Sequence, residues 1–208
     1  MALVLSFSSP INVRYGQKKG PLLKRLFFVI IAAAALWSGY WFIGARGASA
    51  GLTAWFDARR AEGWVAEYDD FGIRGYPNRF DATWQDLILA DPDTGIAWTM
   101  PVFQLLALSY QPNHVIAAWP EEMTLATPTD KLTITSETLR ASLRLAKSTQ
   151  LELETSVLEG RNIAFSGAET GSLGELHLAA DRQAETTYRI GLDARDISPP
   201  APVVRGIF

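Results

Sequence analysis

An uninterrupted apolar segment near the N-terminus constrains this chain more than any other feature. Residues 26–44, LFFVIIAAAALWSGYWFIG, contain no charged side chain. A helix of this length spans about 28 Å at a rise of about 1.5 Å per residue, close to the roughly 30 Å hydrocarbon thickness of a bilayer. Helix formation also satisfies the backbone hydrogen bonds internally, as a membrane interior requires. The segment therefore predicts a transmembrane helix, which we place at residues 22–46.

Charge is distributed unevenly on the two sides of this segment. Residues 1–25 carry five basic side chains and no acid, whereas residues 51–208 carry 13 basic and 22 acidic side chains, a net charge of −9. Basic residues beside a span are retained in the cytoplasm. The asymmetry predicts a single-pass protein of the bacterial inner membrane, with a cytoplasmic basic tail at residues 1–21 and a periplasmic C-terminal domain. An acidic exported domain also argues against nucleic acid as a partner, because phosphate binding requires clustered positive charge.

The end of the apolar segment has two interpretations. The tripeptide Ala48-Ser49-Ala50 fits the small-residue pattern of a signal-peptidase site, and cleavage after Ala50 would release a soluble domain. Against cleavage, the apolar run exceeds the roughly 7–15 residues of a signal peptide. Aromatic side chains also cluster near its outer end, as they do at a membrane interface. We therefore expect an uncleaved anchor, with cleavage as the alternative.

Residues 48–63 predict a second, amphipathic helix. Leu52, Trp55 and Phe56 follow the i, i+3, i+4 spacing of one apolar face, and Gly63 suits the C-terminal end. A sheet with one apolar face needs a cover of this kind, so we expect the helix to pack across a sheet. The alternative is that the helix lies on the outer leaflet of the membrane.

The remaining residues, 64–208, predict a β-rich periplasmic domain. Apolar and polar side chains alternate in short runs, for example around Leu176 and Leu178, which is typical of antiparallel, half-buried strands. The alternation changes phase between Ile134 and Leu139, which requires a bulge or a tight turn. The predicted fold is mainly β with an N-terminal transmembrane helix: a curved antiparallel sheet packed against one amphipathic helix. Prolines near residue 200 stop the pattern, and we expect further strands beyond this chain.

Few residues offer catalytic or metal-binding chemistry. The chain has no cysteine and only two histidines, His114 and His177, without a recognisable carboxylate spacing, so we predict neither a metal nor a cofactor. A catalytic His114 would need a nucleophile or a metal to serve. We expect instead that His114 belongs to a structural turn with Pro112 and Asn113. The segment Asp91-Pro-Asp-Thr-Gly95 lacks the terminal acid of a calcium loop and predicts a hairpin turn.

Tryptophan is abundant in the exported part of the chain. Five of the seven tryptophans lie there, and they could line an apolar trough for acyl chains or for a partner peptide. The alternative is that they fill a core, where each large ring buries roughly 150–250 Å². The candidate ligand-binding residues are Trp64, Trp84, Trp98 and Trp119.

Two segments depart from plain alternation. In residues 75–81, GYPNRFD, the residues Gly75, Tyr76 and Pro77 predict a corner between strands. Residues 101–120 read PVFQLLALSYQPNHVIAAWP. Together with the tail, the span and the following helix, these strings resemble the proteobacterial domain-of-unknown-function family 2125, which implies a membrane-anchored envelope protein without an established activity. A looser architectural likeness links the chain to AsmA-like proteins, which pair an N-terminal span with an open β-sheet groove for lipid.

Three functions are compatible with these features. The first is a non-enzymatic envelope protein that shelters lipid or another apolar ligand in a concave β-sheet next to the inner membrane. The second is a scaffold that binds another envelope protein through a free sheet edge. The third, less favoured by the residue pattern, is an enzyme that uses His114.

Overall fold

The computed structural model describes residues 21–146, 152–184 and 187–202. Within them, one helix precedes eleven strands that form a single sheet. The chain divides into two compact units, Met1–Trp37 and Ser38–Phe208. Apart from Pro21, the predicted cytoplasmic tail lies outside the described residues. The elements are α1 Pro21–Ala61, β1 Val65–Glu67, β2 Asp70–Arg74, β3 Arg79–Asp91, β4 Ile96–Leu108, β5 Gln111–Ala118, β6 Glu122–Ala126, β7 Lys131–Thr135, β8 Thr138–Leu145, β9 Leu153–Ser166, β10 Glu169–Ala184 and β11 Thr187–Pro202.

The helix α1 includes both helical segments that the sequence predicts. Residues 22–46 and 48–61 are parts of one helix, because Gly47 between them is itself helical, and the predicted segment 48–63 is two residues longer than the helix. A single glycine costs a helix only about 1 kcal/mol, so Gly47 does not interrupt α1. The helix ends at Ala61, and Gly63 follows with a φ of 90°. Its stretch Leu23–Ala61 is long and apolar enough to cross a membrane, which is compatible with a single-pass anchor.

All the strand pairs are antiparallel, which confirms the predicted antiparallel sheet. β1 and β2 both pair with β3, one after the other along its length, and β3 also pairs with β4. β5 and β6 both pair with β4, one after the other along its length. β5 also pairs with β8, and β6 pairs with β7. Both β7 and β8 pair with β9. β10 then pairs with β9, and β11 pairs with β10. The hairpin predicted at Asp91 to Gly95 is confirmed as the turn between β3 and β4.

The strand pairing is interrupted at one level of the sheet, along a line of positions that crosses the strands. Asp86 lies opposite Pro101, and Asn162 lies opposite Gly174, but the ladder skips both positions. Asp86, Asn162 and Asp196 have positive φ angles of 49°, 48° and 52°, which residues with side chains seldom adopt. We call this line the transverse break, and its residues are Asp69, Asp86, Pro101, Glu121, Glu137, Asn162, Gly174 and Asp196.

The transverse break keeps apolar side chains on one face of the sheet. In a regular strand, residues three apart point to opposite faces. Across the break, Trp84 and Leu87 are three apart and yet only 2% and 1% exposed, in one core. Met100 and Phe103 repeat this spacing on β4 and contribute to the same core. The phase change that the sequence predicts between β7 and β8 lies on this line and is confirmed.

The hydrophobic core lies between α1 and the sheet, as the amphipathic helix predicts. Phe56 of α1 is buried, and its ring centroid lies 5.7 Å from that of Trp84. Trp84 also stacks on Phe71, with 4.8 Å between ring centroids, and contacts Phe103 at 5.9 Å. We call the face of the sheet that carries Phe71, Trp84 and Phe103 the helix-side face.

Candidate functional site

Apolar residues of the helix-side face form rows that run across the whole sheet. The strand register places Leu105 between Ala82 and Ala117, and Leu178 between Leu158 and Leu192. Because paired residues in an antiparallel sheet point to the same face, the row is continuous from one edge to the other. Its members are Ile73, Ala82, Leu105, Ala117, Ala141, Leu158, Leu178 and Leu192.

This row is covered at one end and open at the other. Ala82 is buried in the core, whereas Leu192 is 67% exposed. The described residues comprise one helix and one sheet, so they offer no second layer over β11. We call the exposed and half-exposed side chains of this region the open apolar surface, which consists of Leu158, Leu176, Leu178, Ile190 and Leu192.

The four candidate tryptophans lie elsewhere. Trp84 is a fully buried core residue, and Trp98 and Trp119 pack against the same core. Trp64 follows α1 and lies beside the guanidinium of Arg59, 5.9 Å from its ring centroid. The structure thus brings Trp84, Trp98 and Trp119 into one core, the alternative that the sequence left open, and leaves Trp64 outside it.

The predicted corner at Gly75, Tyr76 and Pro77 lies between β2 and β3. Gly75 has a φ of 100°, and a Cβ there would lie 2.7 Å from the Cβ of Arg79, so glycine is required. The Tyr76–Pro77 peptide bond is cis. Trp41 of α1 packs against this corner, and its indole N–H donates a hydrogen bond of 2.8 Å to the carbonyl oxygen of Arg79. The corner therefore connects α1 with the sheet.

The turn predicted at Pro112, Asn113 and His114 is formed instead by the two residues before Gln111. These three residues belong to β5, next to an irregularity in its pairing with β4. Proline has no N–H to donate to a ladder, so it is tolerated where the pairing is irregular. Asn113 Nδ2 donates a hydrogen bond to the carbonyl oxygen of Leu145 at 3.1 Å, so its side chain ties β5 to β8.

His114 forms one hydrogen bond in the part of the chain that the structure describes. Its Nε2 lies 2.8 Å from Ser142 Oγ, in a partly buried position between β5 and β8. A serine paired with an imidazole could act as a nucleophile and base, but such a pair also needs a third group that orients the imidazole. Among the described residues, no carboxylate bonds to this ring. The arrangement therefore holds two strands together.

The opposite face of the sheet is charged. It bears a cavity of about 400 Å³, where Arg195 pairs with Asp193 at 3.1 Å and with Glu175 at 3.5 Å. Glu159 and His177, also in the cavity wall, approach each other to 3.6 Å. Exposed pairs of this kind contribute under about 1 kcal/mol, as in a solvated surface. No group of three metal-binding side chains occurs among residues 21–146, 152–184 and 187–202.

The comparisons with known proteins identify a family. Residues 41–206 match a family described as an uncharacterized protein conserved in bacteria, DUF2125. The chain belongs to DUF2125. The match starts at Trp41, within α1, and includes all eleven strands, so this DUF2125 chain carries the corner at residues 75–77 and the open apolar surface inside the family region. No curated protein and no solved structure matches the chain.

Ile190 and Leu192 of this DUF2125 protein were not predicted from the sequence as site residues. Both follow the predicted alternation, so their shared face could be inferred from the sequence. Their exposure could not, because it depends on where α1 ends and on which strand lies at the sheet edge. Apart from the alternation, no sequence signal distinguishes these two residues.

Proposed function

We propose that this DUF2125 protein is a non-enzymatic, membrane-anchored envelope protein that shelters an acyl chain or another apolar ligand on the open apolar surface. The observation that carries the proposal is the exposure of Leu192, at the end of an apolar row that is buried at Ala82, Ala117 and Ala141, and of Ile190 on the same face of β11. Large contiguous apolar patches on a protein surface mark sites of ligand, membrane or protein contact. Fully covering an exposed leucine or isoleucine side chain contributes roughly 1.5–3 kcal/mol.

The dimensions of the surface favour an extended apolar ligand. Leu158, Leu178 and Leu192 occupy three neighbouring strands at directly paired positions. Neighbouring strands lie about 4.8 Å apart, so these three side chains form a strip about 10 Å long. An acyl chain laid along this strip contacts the methyl groups of all three leucines, and its polar end stays in water.

The proposed location follows from charge. Five basic residues precede the apolar segment 26–44, and residues 51–208 carry a net charge of −9, so we place the sheet in the periplasm and the tail in the cytoplasm. Alkaline phosphatase fused after Phe208 is expected to be active in cells. An inactive fusion that is nevertheless full-length and membrane-bound would contradict this topology.

Photo-crosslinking in cells tests the ligand proposal. A benzophenone amino acid is placed at Leu192 and, in a matched variant, at Asp193. The two positions are neighbours on β11 but point to opposite faces, and both are exposed. We expect a lipid adduct, detected by mass spectrometry of the purified full-length protein, at position 192 and not at position 193. Equal labelling at both positions, or no lipid at position 192, would contradict the proposal.

A second function is favoured by the sheet edge. Among the described residues, β11 pairs with β10 alone, so its other side presents backbone N–H and C=O groups to an added strand. An envelope scaffold would bind a partner protein in this way. Protein adducts at position 192 that replace the lipid adducts would favour the scaffold over the lipid-binding function.

A further inference from the structure

Five residues of the predicted span contact the sheet domain although they lie in the apolar segment: Ser38, Tyr40, Trp41, Phe42 and Gly44. Trp41 is only 6% exposed, and its ring lies 5.4 Å from that of Tyr76 and 5.8 Å from that of Phe80. Gly44 lies so close to Phe80 that a Cβ there would be 2.7 Å from Cζ. One side of this part of the helix is therefore occupied by protein.

Hydrogen bonds join the same helical residues to two turns of the sheet. The hydroxyl groups of Ser38 and Tyr76 are 2.7 Å apart, which connects the helix to the turn between β2 and β3. The Tyr40 hydroxyl donates to the carbonyl oxygen of Ser109, in the turn between β4 and β5. Both turns thus lie level with residues 38–41 of the helix.

The length of the span then determines where these turns lie. Without residues 38–44, the apolar segment is reduced to residues 26–37, about 18 Å at about 1.5 Å per residue. This is well short of the roughly 30 Å hydrocarbon thickness of a bilayer. Residues 38–44 must therefore reach into the membrane or its headgroup layer, and the turns that contact them reach it too.

The composition of the turns agrees with this position. Tyr76 is 53% exposed and Tyr110 is 62% exposed, and neither turn contains an acidic residue. At the other end of the strands, the turn between β3 and β4 contains Asp93, and the turn between β6 and β7 contains Asp130. Tyrosine, with an apolar ring and a polar tip, is enriched at membrane–water interfaces, whereas carboxylates are not.

We propose that the two turns, residues 75–78 and 109–110, form a membrane-contact surface that inserts Tyr76 and Tyr110 into the headgroup layer next to residues 38–44. The surface holds the sheet domain against the membrane in addition to the covalent anchor. The proposal rests on membrane anchorage but is independent of the ligand proposal, since the open apolar surface takes no part in it.

Spin labelling of the full-length protein tests this surface directly. The chain has no cysteine, so a single introduced cysteine is the only labelled site. Tyr110→Cys and the matched control Asp93→Cys are labelled with a nitroxide in liposomes of phosphatidylethanolamine and phosphatidylglycerol. We expect the label at position 110 to be several-fold less accessible to a water-soluble nickel complex than the label at position 93, and more accessible to oxygen. Equal nickel accessibility at the two positions would overturn the proposal.

A second labelled position shows whether the result at position 110 is only a local effect of that substitution. Tyr76→Cys places the label in the other turn, and it is expected to show the same preference for oxygen over the nickel complex. A Tyr76 label that behaves like the label at position 93 would restrict membrane contact to the β4–β5 turn and so overturn the surface as proposed. Loss of lipid crosslinking at Leu192 would leave these accessibilities unchanged, so the two proposals fail separately.

Discussion

The sheet under α1 and the sheet around β11 carry the same apolar alternation but differ in what lies over it. At Trp84, the rings of Phe56 and Phe71 close the helix-side face. At Leu192, two strands beyond β9 in the same sheet, the side chain is exposed. Alternation therefore determines which side chains share a face, whereas the position of α1 determines which of them form a core. This difference leads to four predictions about stability.

The largest effect is expected at Trp84. Trp84→Ala removes a buried ring with three aromatic neighbours and should lower the free energy of unfolding by about 3–5 kcal/mol. Urea unfolding of the purified protein in detergent, followed by far-UV circular dichroism, measures the loss. The control Leu192→Ala should change it by less than about 0.5 kcal/mol. Similar losses for both variants would mean that β11 is covered.

Trp84→Phe refines this test. The indole N–H of Trp84 is buried and has no hydrogen-bond partner among the described residues. Phenylalanine retains an aromatic ring and removes this unsatisfied donor, so the variant should lose much less stability than Trp84→Ala. A loss as large as that of alanine would show that ring size, rather than ring stacking, dominates at this position.

A loss of stability of intermediate size is expected when a glycine is replaced by alanine at the corner before β3, but not when one is replaced on β11. Gly75→Ala imposes a side chain at a φ of 100° and 2.9 Å from the carbonyl oxygen of Arg79, which should cost about 1–3 kcal/mol. Gly191→Ala on β11 has no atom within 4 Å of the added Cβ and should be nearly neutral. The same urea titration compares them, and a loss at Gly191 that equals the loss at Gly75 would show that β11 is closely packed.

The smallest effect on stability, with a clear effect on ligand contact, is expected on the open apolar surface. Ile190→Ser with Leu192→Ser should change the free energy of unfolding by less than about 0.5 kcal/mol per substitution, because both side chains are already exposed. With the benzophenone amino acid at Leu178, the double variant should yield fewer lipid adducts. An unchanged lipid yield would separate the exposed side chains from ligand binding.

Much of the fold could be predicted from local residue patterns. The apolar run predicted the helix, the period of two predicted antiparallel strands, and Gly75 with Pro77 predicted a corner, because each of these depends on short-range chemistry. The segment at 101–120 could not be assigned from its pattern. Met100 and Phe103 share a face at a spacing of three, since the transverse break skips Pro101 between them.

The candidate site was less predictable than the fold. The tryptophans pointed to an apolar trough, but Trp84 and Trp119 face a region that α1 and its neighbours fill. The exposed residues, Ile190 and Leu192, carry no distinctive sequence signal, because an edge strand and a central strand can have the same alternation. Which strand lies at an edge depends on pairing between residues that are far apart in sequence.

The transverse break has a consequence for how the family can vary. Deleting Asp86 alone would leave Pro101 of β4 without a counterpart in β3. The pairs Leu87–Met100 and Leu89–Trp98 could then form only if the other half of β3 moved by one residue along β4. Single-residue insertions and deletions at this level are therefore expected to be rejected in isolation, and a length change in one strand should be accompanied by a matching change in its neighbours.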